Sequence, residues 1–186
     1  MLDNYVFKEI KKFDISVDEL WDTVKGKFNV ALIRKKEFLN WRYVSRPDVK
    51  YFPFGIFKEK KLLGYCVLKL YKEDKILRGH FLDIFADPKD KMVFHNMVVQ
   101  SMLFFQKKGC QEVNLWLQGS NLFQNIFKEI GFSISGSRPM ICRFNLDSGN
   151  LKKNLTRENW FFTMGDPLQA SEVDSQQCFL LVLEVL

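Results

Sequence analysis

The sequence predicts an α/β (α+β) domain whose mixed, mostly antiparallel central sheet carries helices on both faces. Three strand-like segments separated by short polar turns at 58–61 and 72–75 predict an antiparallel meander. A long helical stretch then lies between two strand-like segments, and a strand–helix–strand unit makes parallel neighbours. The 19 phenylalanines among 186 residues require a thick packed interior. We expect a single domain over residues 1–186.

The start of the chain predicts a strand and a capped helix. Residues 5–13 alternate loosely between apolar and polar side chains, as a first strand does. Ser16, with Glu19 three residues later, matches a reciprocal capping pair. The helix that follows is expected to end near Gly26.

A second helix is predicted within residues 30–43. This helix would bury Phe38, Leu39 and part of Trp41 and expose the lysines beside them. Pro47 ends it, because a residue before proline is disfavoured in the helical region.

The middle of the chain predicts the sheet. Tyr51–Phe57, Lys61–Tyr71 and Ile76–Phe85 are the expected strands of the meander. Gly64, early in the second strand, predicts a bulge or a close backbone approach.

Two further helices flank the last central strand. Asp90–Lys108 has a wide apolar stripe, and Asp90 is placed to satisfy the start of the helix. Val113–Leu117 is expected to lie parallel to the Phe81–Phe85 strand. Ser120 and Asn121 predict the cap of a helix that reaches Ile130.

The C-terminal part predicts strands at 134–146 and 177–186. Between them, residues 160–166 are first aromatic and then turn-like. This segment has two interpretations: it lines an acceptor pocket, or it fastens the C-terminal strand to the sheet. We favour the second interpretation.

Charge and composition exclude several functions. The net charge of +6 comes from scattered lysine pairs without the interleaved aromatic residues of a nucleic-acid groove. No apolar stretch is long enough to span a bilayer, and the first residues do not form a signal peptide. We therefore expect neither nucleic acid nor membrane as a partner, and a cytoplasmic location with reduced thiols.

Metal binding is not expected either. Cys66, Cys110, Cys142 and Cys178 lie far apart without a CxxC pair. The two histidines, at 80 and 95, do not have the spacing of a metal-binding pair.

The order of elements and several motifs resemble the GNAT superfamily of N-acetyltransferases. The motifs are Gly64-Tyr65, the run 81–88 (Phe-Leu-Asp-Ile-Phe-Ala-Asp-Pro), and the pattern that places Phe123 and Phe127 before Gly131-Phe132. The segments at 41–43 (Trp-Arg-Tyr) and 159–166 resemble those of a divergent GNAT-like group. The resemblance covers nearly the whole chain.

The resemblance implies acyl transfer from acetyl-CoA to an amine of a small molecule, a sugar or a peptide, and a homodimer remains open. Acetyl-CoA would lie in a gap between the two central parallel strands, with its pyrophosphate at the start of the following helix. The residues implied to contact it are Phe85, Ala86, Asp87, Lys89, Lys91, Met92 and Asn121.

Two departures from the family pattern concern this site. The turn from Asp87 to Asn96 contains no glycine, although the family uses glycines there to let the backbone approach the phosphates. A capped helix start with solvated lysines is the structural alternative. Phe127 stands where many members place a tyrosine, and a phenyl ring cannot donate a proton to the leaving thiolate.

The candidate general bases are Asp83 and His80. Asp83 lies inside the central strand, where burial would raise its pKa. Its alternative role is a contact with solvent or with an arginine, for which Arg42, Arg78 and Arg143 are candidates. His80 borders the strand and has a surface role as its alternative.

Two functions follow from these residues. The first is a GNAT-type N-acyltransferase. The second is a GNAT-fold domain without catalytic power that serves binding or assembly. The first requires an open gap between the central strands, and a phenylalanine ring filling that gap would contradict it.

Overall fold

The computed structural model describes residues 5–28, 30–118, 121–136, 160–166 and 180–184. In chain order the strands are β1 Tyr5–Glu9, β2 Val30–Ala31, β3 Tyr51–Lys58, β4 Lys61–Glu73, β5 Ile76–Ala86, β6 Glu112–Leu115, β7 Leu117–Gln118, β8 Ser133–Gly136, β9 Trp160–Thr163 and β10 Leu180–Glu184. The α-helices are α1 Ile15–Val24, α2 Lys36–Leu39, α3 Lys91–Lys107 and α4 Asn121–Glu129. No helix among these residues is long and apolar enough to cross a bilayer.

The described strands form one large sheet and one small sheet. The large sheet has seven strands in the order β1-β3-β4-β5-β6-β10-β8, and the small one has the order β2-β9-β7. In the large sheet only β5 and β6 are parallel, and the other neighbours are antiparallel. The predicted mixed sheet, its meander and its parallel pair are confirmed.

Helices cover both faces of the large sheet, as predicted. On one face, Phe81 of β5 contacts Phe105 of α3 and Phe127 of α4, with ring centroids 5.4 and 5.5 Å apart. On the other face, Phe85 of β5 contacts Trp21 of α1. The phenylalanines therefore fill the two layers between sheet and helices.

The predicted capping residue of α1 was wrong by two positions. Asp14 is the N-cap, and its carboxylate accepts hydrogen bonds from the Ser16 amide at 3.0 Å and the Ser16 hydroxyl at 2.5 Å. Asp14 takes the N-cap position because its carboxylate supplies the acceptor that the free amides of the first turn need. Ser16 lies inside the helix.

The predicted second helix is present, but only its first turn is α-helical. Only Lys36–Leu39 is α-helical, and a π-helical turn, Asn40–Val44, continues it. The wider turn rotates the following side chains, so Trp41 is 52% exposed while Arg42 and Tyr43 are buried. The expected partial burial of Trp41 is limited to a contact with Phe38, whose ring centroid lies 6.0 Å from that of Trp41.

Gly64 approaches the neighbouring strand closely, as predicted. A Cβ atom at this position would lie 2.9 Å from the Cβ of Ala86 and 3.0 Å from the Phe85 carbonyl oxygen. A larger residue would push β4 and β5 apart at the end of β5.

A bulge in β5 decides which side chains face which helices. Val67 pairs with Asp83 and Leu68 pairs with Phe81, so Leu82 is an extra residue in β5. Regular alternation would place Phe81, Asp83 and Phe85 on one face. The bulge instead leaves Phe81 against α3 and α4 and turns Asp83 and Phe85 towards α1.

The C-terminal expectations fall partly outside the described residues. The strand predicted over 134–146 is seen as β8, and its remainder, with Arg143 and Cys142, lies outside the described part. The strand predicted over 177–186 is seen as β10. Ser120, predicted to help cap α4, also lies outside.

Candidate functional site

The two central parallel strands diverge halfway along β5. Their pairing runs from Arg78 opposite Glu112 to Phe81 opposite Leu115. Beyond this point β5 continues to Ala86, whereas the partner strand turns away at Trp116 and resumes as β7 in the small sheet. The gap that the resemblance implies is therefore present as a fork between β5 and β7.

The segment 160–166 of the same chain lies in this fork. Leu117 and Gln118 on one side pair antiparallel with Thr163 and Phe162. On the other side, the Gly165 amide donates a 2.6 Å hydrogen bond to the Leu82 carbonyl oxygen at the bulge. The first backbone acceptor exposed by the divergence of the strands is thus used by the chain itself.

Phe161 fills the wide part of the fork. Its ring is fully buried and contacts Phe85 of β5 and Phe123 of α4, with centroids 5.7 and 5.8 Å apart. Phe28 lies against it at 4.8 Å. An aromatic residue of the chain therefore spans the space from the sheet to α4.

The buried side chain of Arg34 holds the segment 160–166 in place. Its guanidinium is 0% exposed and donates from Nη2 to both carboxylate oxygens of Asp166 at 2.8 Å. Its Nε lies 3.3 Å from Asp83 Oδ1, and its Nη1 donates to the Leu32 carbonyl oxygen at 2.9 Å. The planar fork of donors suits this arrangement, which a lysine could not reproduce.

Hydrogen bonds complete the cluster around the guanidinium. The Tyr65 hydroxyl donates to Asp83 Oδ2 at 2.8 Å, and the Thr163 hydroxyl donates to Asp83 Oδ1 at 3.1 Å. The Thr163 amide donates to Asp166 Oδ2 at 2.7 Å. The Arg34 guanidinium also lies 4.7 Å from the centre of the Phe161 ring, a cation–π contact. Each carboxylate is held by several donors.

The electrostatics of the cluster follow from its composition of two carboxylates and one guanidinium. Burial and the neighbouring charge of Asp83 raise the pKa of Asp166, although Arg34 acts in the opposite direction. The two carboxylates raise the pKa of Arg34 despite its burial. We conclude that Arg34 stays charged and that Asp166 takes up a proton more easily than an exposed aspartate does.

Asp83 lies where the sequence placed it, in the central strand and fully buried. Its partner is an arginine, which was one of the two alternatives, but this arginine was not among the candidates, of which Arg143 lies outside the described residues. Arg34 fills this role, whereas Arg78 pairs with Glu73 and Glu112, and Arg42 Nε lies 3.3 Å from the Gly165 carbonyl oxygen. Both oxygens of Asp83 accept hydrogen bonds, so a role as general base stays a prediction.

His80 lies on the same face of the sheet as Asp83, one step before the bulge. Its Nδ1 is 2.9 Å from the Met164 sulfur, and its ring packs edge-on against Tyr71 with centroids 4.0 Å apart. Burial, with smaller contributions from Lys69 and Arg78, lowers the pKa of His80 to about 3. His80 is therefore a neutral imidazole at pH 7.

At the implied phosphate site, the turn and the start of α3 have partners within the chain. Asp87 pairs with Lys27, and Asp90 accepts a 3.0 Å hydrogen bond from the Val93 amide in the first turn of α3. The Phe94 amide donates to the Asp90 carbonyl oxygen at 3.2 Å, and the Phe94 ring stacks on Phe123 of α4 with centroids 4.1 Å apart. Two of the amide donors at this helix start are therefore used within the chain.

The other residues implied to contact acetyl-CoA have diverse surroundings. Phe85 and Ala86 are fully buried. Lys89, Lys91 and Met92 are exposed, and Lys91 lies 3.5 Å from Glu129. Asn121 begins α4. Their role in cofactor binding stays a prediction.

Phe127 is a core residue. It is fully buried and contacts Phe81, Phe94 and Phe132, with centroids 5.1 to 5.8 Å apart. The ring occupies a wholly aromatic environment, so a hydroxyl at this position would meet no polar partner among these rings.

Sequence reasoning missed Arg34 and Thr163 and gave Asp166 only a place in a turn. The available signal was an arginine directly after the apolar run Ala31-Leu32-Ile33, where a charge needs a buried partner. Both interpretations of residues 160–166 were incomplete. The segment pairs with β7 and β2, and no contact with the C-terminal strand β10 occurs among its described strand pairings.

Comparison with known proteins shows likeness in structure alone. No protein-family model matches the chain, and no curated protein matches it by sequence. An N-acetyltransferase from Staphylococcus aureus Mu50 superposes with a TM-score of 0.60 at 10% identity, over 97% of this chain and 97% of that chain. An acetyltransferase from Bacillus subtilis in complex with CoA gives 0.58 at 12% identity, over 98% and 100%.

A third solved structure agrees with these two. The ribosomal-protein-S18-alanine N-acetyltransferase from Escherichia coli superposes with a TM-score of 0.59 at 8% identity, over 97% of this chain and 93% of that chain. The predicted α/β fold class is confirmed over nearly the whole chain. At these identities the likeness extends to the fold and not to the site.

Proposed function

We propose that this chain, which has the fold of the GNAT N-acetyltransferases, is a binding domain in which residues 160–166 take the place of acyl-CoA. The single observation that carries this proposal is the burial of Phe161 between β5 and α4. A pantetheine arm entering between the central strands would have to occupy the same volume. Protein interiors are close-packed, so the ring and the arm exclude each other.

Displacing the segment would be costly. If the segment left the fork, Arg34 would lose Asp166, its ion-pair partner, while the guanidinium stayed fully buried. Separating one partner from a buried ion pair costs about 3–5 kcal/mol. The exposure of Phe161 would add roughly 1.5–3 kcal/mol for its apolar surface. These costs favour a permanently filled fork over a gate that opens for a cofactor.

The start of α3 supports the same conclusion. A diphosphate needs free backbone amides and a close backbone approach. Here Asp90 accepts a hydrogen bond from the Val93 amide, and the buried Phe94 ring stacks on Phe123 of α4. The family's glycines have no counterpart between Asp87 and Asn96.

The test is a thermal-shift titration with acetyl-CoA. A ligand that binds only the native state raises Tm in a concentration-dependent way, by the equivalent of about 2.7 kcal/mol at a hundredfold excess over Kd. We expect no change in Tm up to millimolar acetyl-CoA. A saturable rise would overturn the proposal, since it would require a cofactor site in the native protein. The Phe161→Ala variant is titrated in parallel with the wild type, because removal of the ring opens space in the fork.

A second candidate function is N-acyl transfer from acyl-CoA to an amine of a small molecule, a sugar or a peptide. The observation that favours it is the likeness in fold to acetyltransferases, one of which was solved with CoA. In this reading the exposed Lys89 and Lys91 would attract the phosphates, and Asp83 or His80 would accept the proton of the amine. Asp83 would first have to lose its contacts with Arg34 and Tyr65.

Release of free CoA from acetyl-CoA in the presence of an amine panel tests this second function. Turnover that disappears in Asp83→Asn, and acetyl-CoA affinity that falls in Lys89→Glu together with Lys91→Glu, would establish it in place of the first. Absence of turnover across simple amines, amino sugars and peptides would leave the binding function as the one that stands.

A further inference from the structure

Four buried polar atoms have no hydrogen-bond partner among the described residues, and two of them belong to directly neighbouring residues of the sheet. The four are His80 Nε2, Asn114 Oδ1, Trp116 Nε1 and Tyr43 Oη. A buried polar atom without a partner costs about 1–3 kcal/mol. Such atoms call for an explanation, and a ligand that supplies the missing partners is one.

Sheet register brings His80 and Asn114 together. His80 on β5 and Asn114 on β6 are direct neighbours in the parallel ladder, about 4.8 Å apart across the strands. Both side chains lie on the sheet face opposite α3, because Gly79 and Phe81, which flank His80, face Phe105 of that helix. Trp116 comes two residues after Asn114, directly beyond the end of β6.

The hydrogen-bonding character of His80 and Asn114 can be assigned. A methionine sulfur accepts but does not donate, so the 2.9 Å contact with Met164 places the proton on Nδ1 of His80. Nε2 is then a bare acceptor. Asn114 uses its Nδ2 group towards the Tyr71 hydroxyl at 3.4 Å, which leaves Oδ1 as a second acceptor. The indole N–H of Trp116 is a donor.

The charges around His80 and Asn114 argue against an ionic ligand. Arg78 is neutralised by Glu73 and Glu112 at 2.6 and 2.5 Å. Lys69 is the register partner of His80 on the other neighbouring strand, and its charge disfavours an ammonium group beside the imidazole. An anion would be repelled by the lone pairs of His80 Nε2 and Asn114 Oδ1. A neutral ligand with O–H donors can donate a hydrogen bond to each of these two acceptors.

Some of the residues around His80 and Asn114 reach the protein surface. Tyr71, His80 and Trp116 are each partly exposed, while Asn114 is 6% exposed at the bottom. Aromatic rings of Tyr71 and Trp116 at the edge would cover the apolar face of a ring-shaped ligand.

We propose that His80, Asn114 and Trp116 form the floor of a binding site for a neutral polyhydroxylated ligand, of the sugar class. One hydroxyl donates to His80 Nε2, a neighbouring hydroxyl donates to Asn114 Oδ1, and a ligand oxygen accepts from Trp116 Nε1. The inference rests on the proposed binding function, for which it names the ligand class, and it uses none of the residues that fill the fork except Met164.

The experiment is saturation-transfer NMR of the intact chain with a panel of neutral hexoses, N-acetylhexosamines and hexitols, with glucosamine and inorganic phosphate as charged comparisons. We expect saturable binding of at least one neutral member and none of phosphate. Absence of binding across the neutral panel overturns the proposal, and so does binding of phosphate alone.

Two variants separate a ligand site from a structural role. His80→Phe and Asn114→Leu each remove one acceptor while keeping similar volume. Loss of one hydrogen bond is expected to weaken binding by up to about tenfold in each. Their Tm without ligand should stay close to that of the wild type, because each change removes an unpartnered polar atom together with one hydrogen bond, to Met164 or to Tyr71. The control His95→Phe on α3 should keep wild-type affinity.

The outcomes are distinguishable from a failure of the proposed function. A lower Tm in both variants would assign the two side chains to the fold and overturn the site. Acetyl-CoA binding is measured on the same samples, so a protein that binds acetyl-CoA but no sugar contradicts both proposals. A protein that binds neither contradicts the sugar site alone.

Discussion

Arg34 and Asp166 form a buried ion pair across 132 residues of sequence, in which Nη2 of Arg34 donates to both carboxylate oxygens at 2.8 Å. This pair joins the stretch after β2 to the turn after β9. It also holds Phe161 and Thr163 against β5. The fork of a fold used elsewhere for a cofactor is thereby closed by residues of the chain itself.

Removal of the guanidinium should destabilise the protein strongly. Arg34→Met leaves Asp83 and Asp166 buried with no compensating cation, and we expect a loss of about 3–5 kcal/mol in the free energy of unfolding. Urea denaturation measures it. The control is Arg46→Met, which breaks the exposed pair with Asp48 and should leave the unfolding midpoint unchanged. Equal effects of the two substitutions would contradict the role of the buried cluster.

Gly165 is required by space. A Cβ atom there would lie 1.9 Å from the Tyr43 hydroxyl and 3.0 Å from the Leu82 carbonyl oxygen. Gly165→Ala should therefore cost about 1–3 kcal/mol through overpacking. Gly26→Ala is the matched control, because nothing lies within 4 Å of its Cβ.

The hydroxyl of Tyr43 allows a second test of the same contact. It has no hydrogen-bond partner among the described residues, so Tyr43→Phe alone should be nearly neutral. The double variant with Gly165→Ala should regain part of the lost stability, seen as a coupling energy in a double-mutant cycle. Strict additivity of the two changes would show that the segment does not rest on Tyr43.

His80 should make stability depend on pH. Its folded pKa of about 3 lies below the ordinary value of 6.5, so between these values the unfolded chain binds a proton that the folded chain does not. The contribution is complete above pH 6.5 and declines as the pH falls towards 3, by at most about 1.4 kcal/mol per pH unit. Unfolding of wild type and His80→Phe from pH 7 to 4 measures the difference. Parallel curves would contradict a neutral, buried imidazole.

Introducing the tyrosine that many GNAT N-acetyltransferases carry at this position should not create an enzyme. Phe127→Tyr places a hydroxyl among the rings of Phe81, Phe94 and Phe132, at a cost of about 1–3 kcal/mol for an unpaired buried polar group. We expect a lower Tm and no release of CoA from acetyl-CoA. Acetyl transfer by this variant alone would mean that only the general acid is missing and that the fork admits the cofactor.

Local patterns predicted the scaffold well. The polar turns at 58–61 and 72–75 lie between β3, β4 and β5, and the apolar stripe after Asp90 is α3. These features depend on neighbours in sequence. The N-cap at Asp14 and the π-helical turn at 40–44 were missed, because several capping and winding patterns fit the same short stretch.

The site was harder to predict. Asp83 was recognised because a carboxylate inside an apolar strand is conspicuous. Arg34 was not among its candidate partners, since nothing near Arg34 in the sequence refers to positions 83 or 166. The bulge at Leu82 also has no sequence signature, yet it decides that Asp83 faces Arg34 and not α3.

The sequence by itself determined the sheet, the helices and the absence of glycine and tyrosine from the positions where the resemblance requires them. Only the tertiary structure decided what lies between β5 and β7. The reason is that periodicity and turn chemistry act over a few residues, whereas filling the fork depends on which distant side chains match its volume and its buried charge. Phe161 and Asp166 meet these two requirements, and they do so from the far end of the chain.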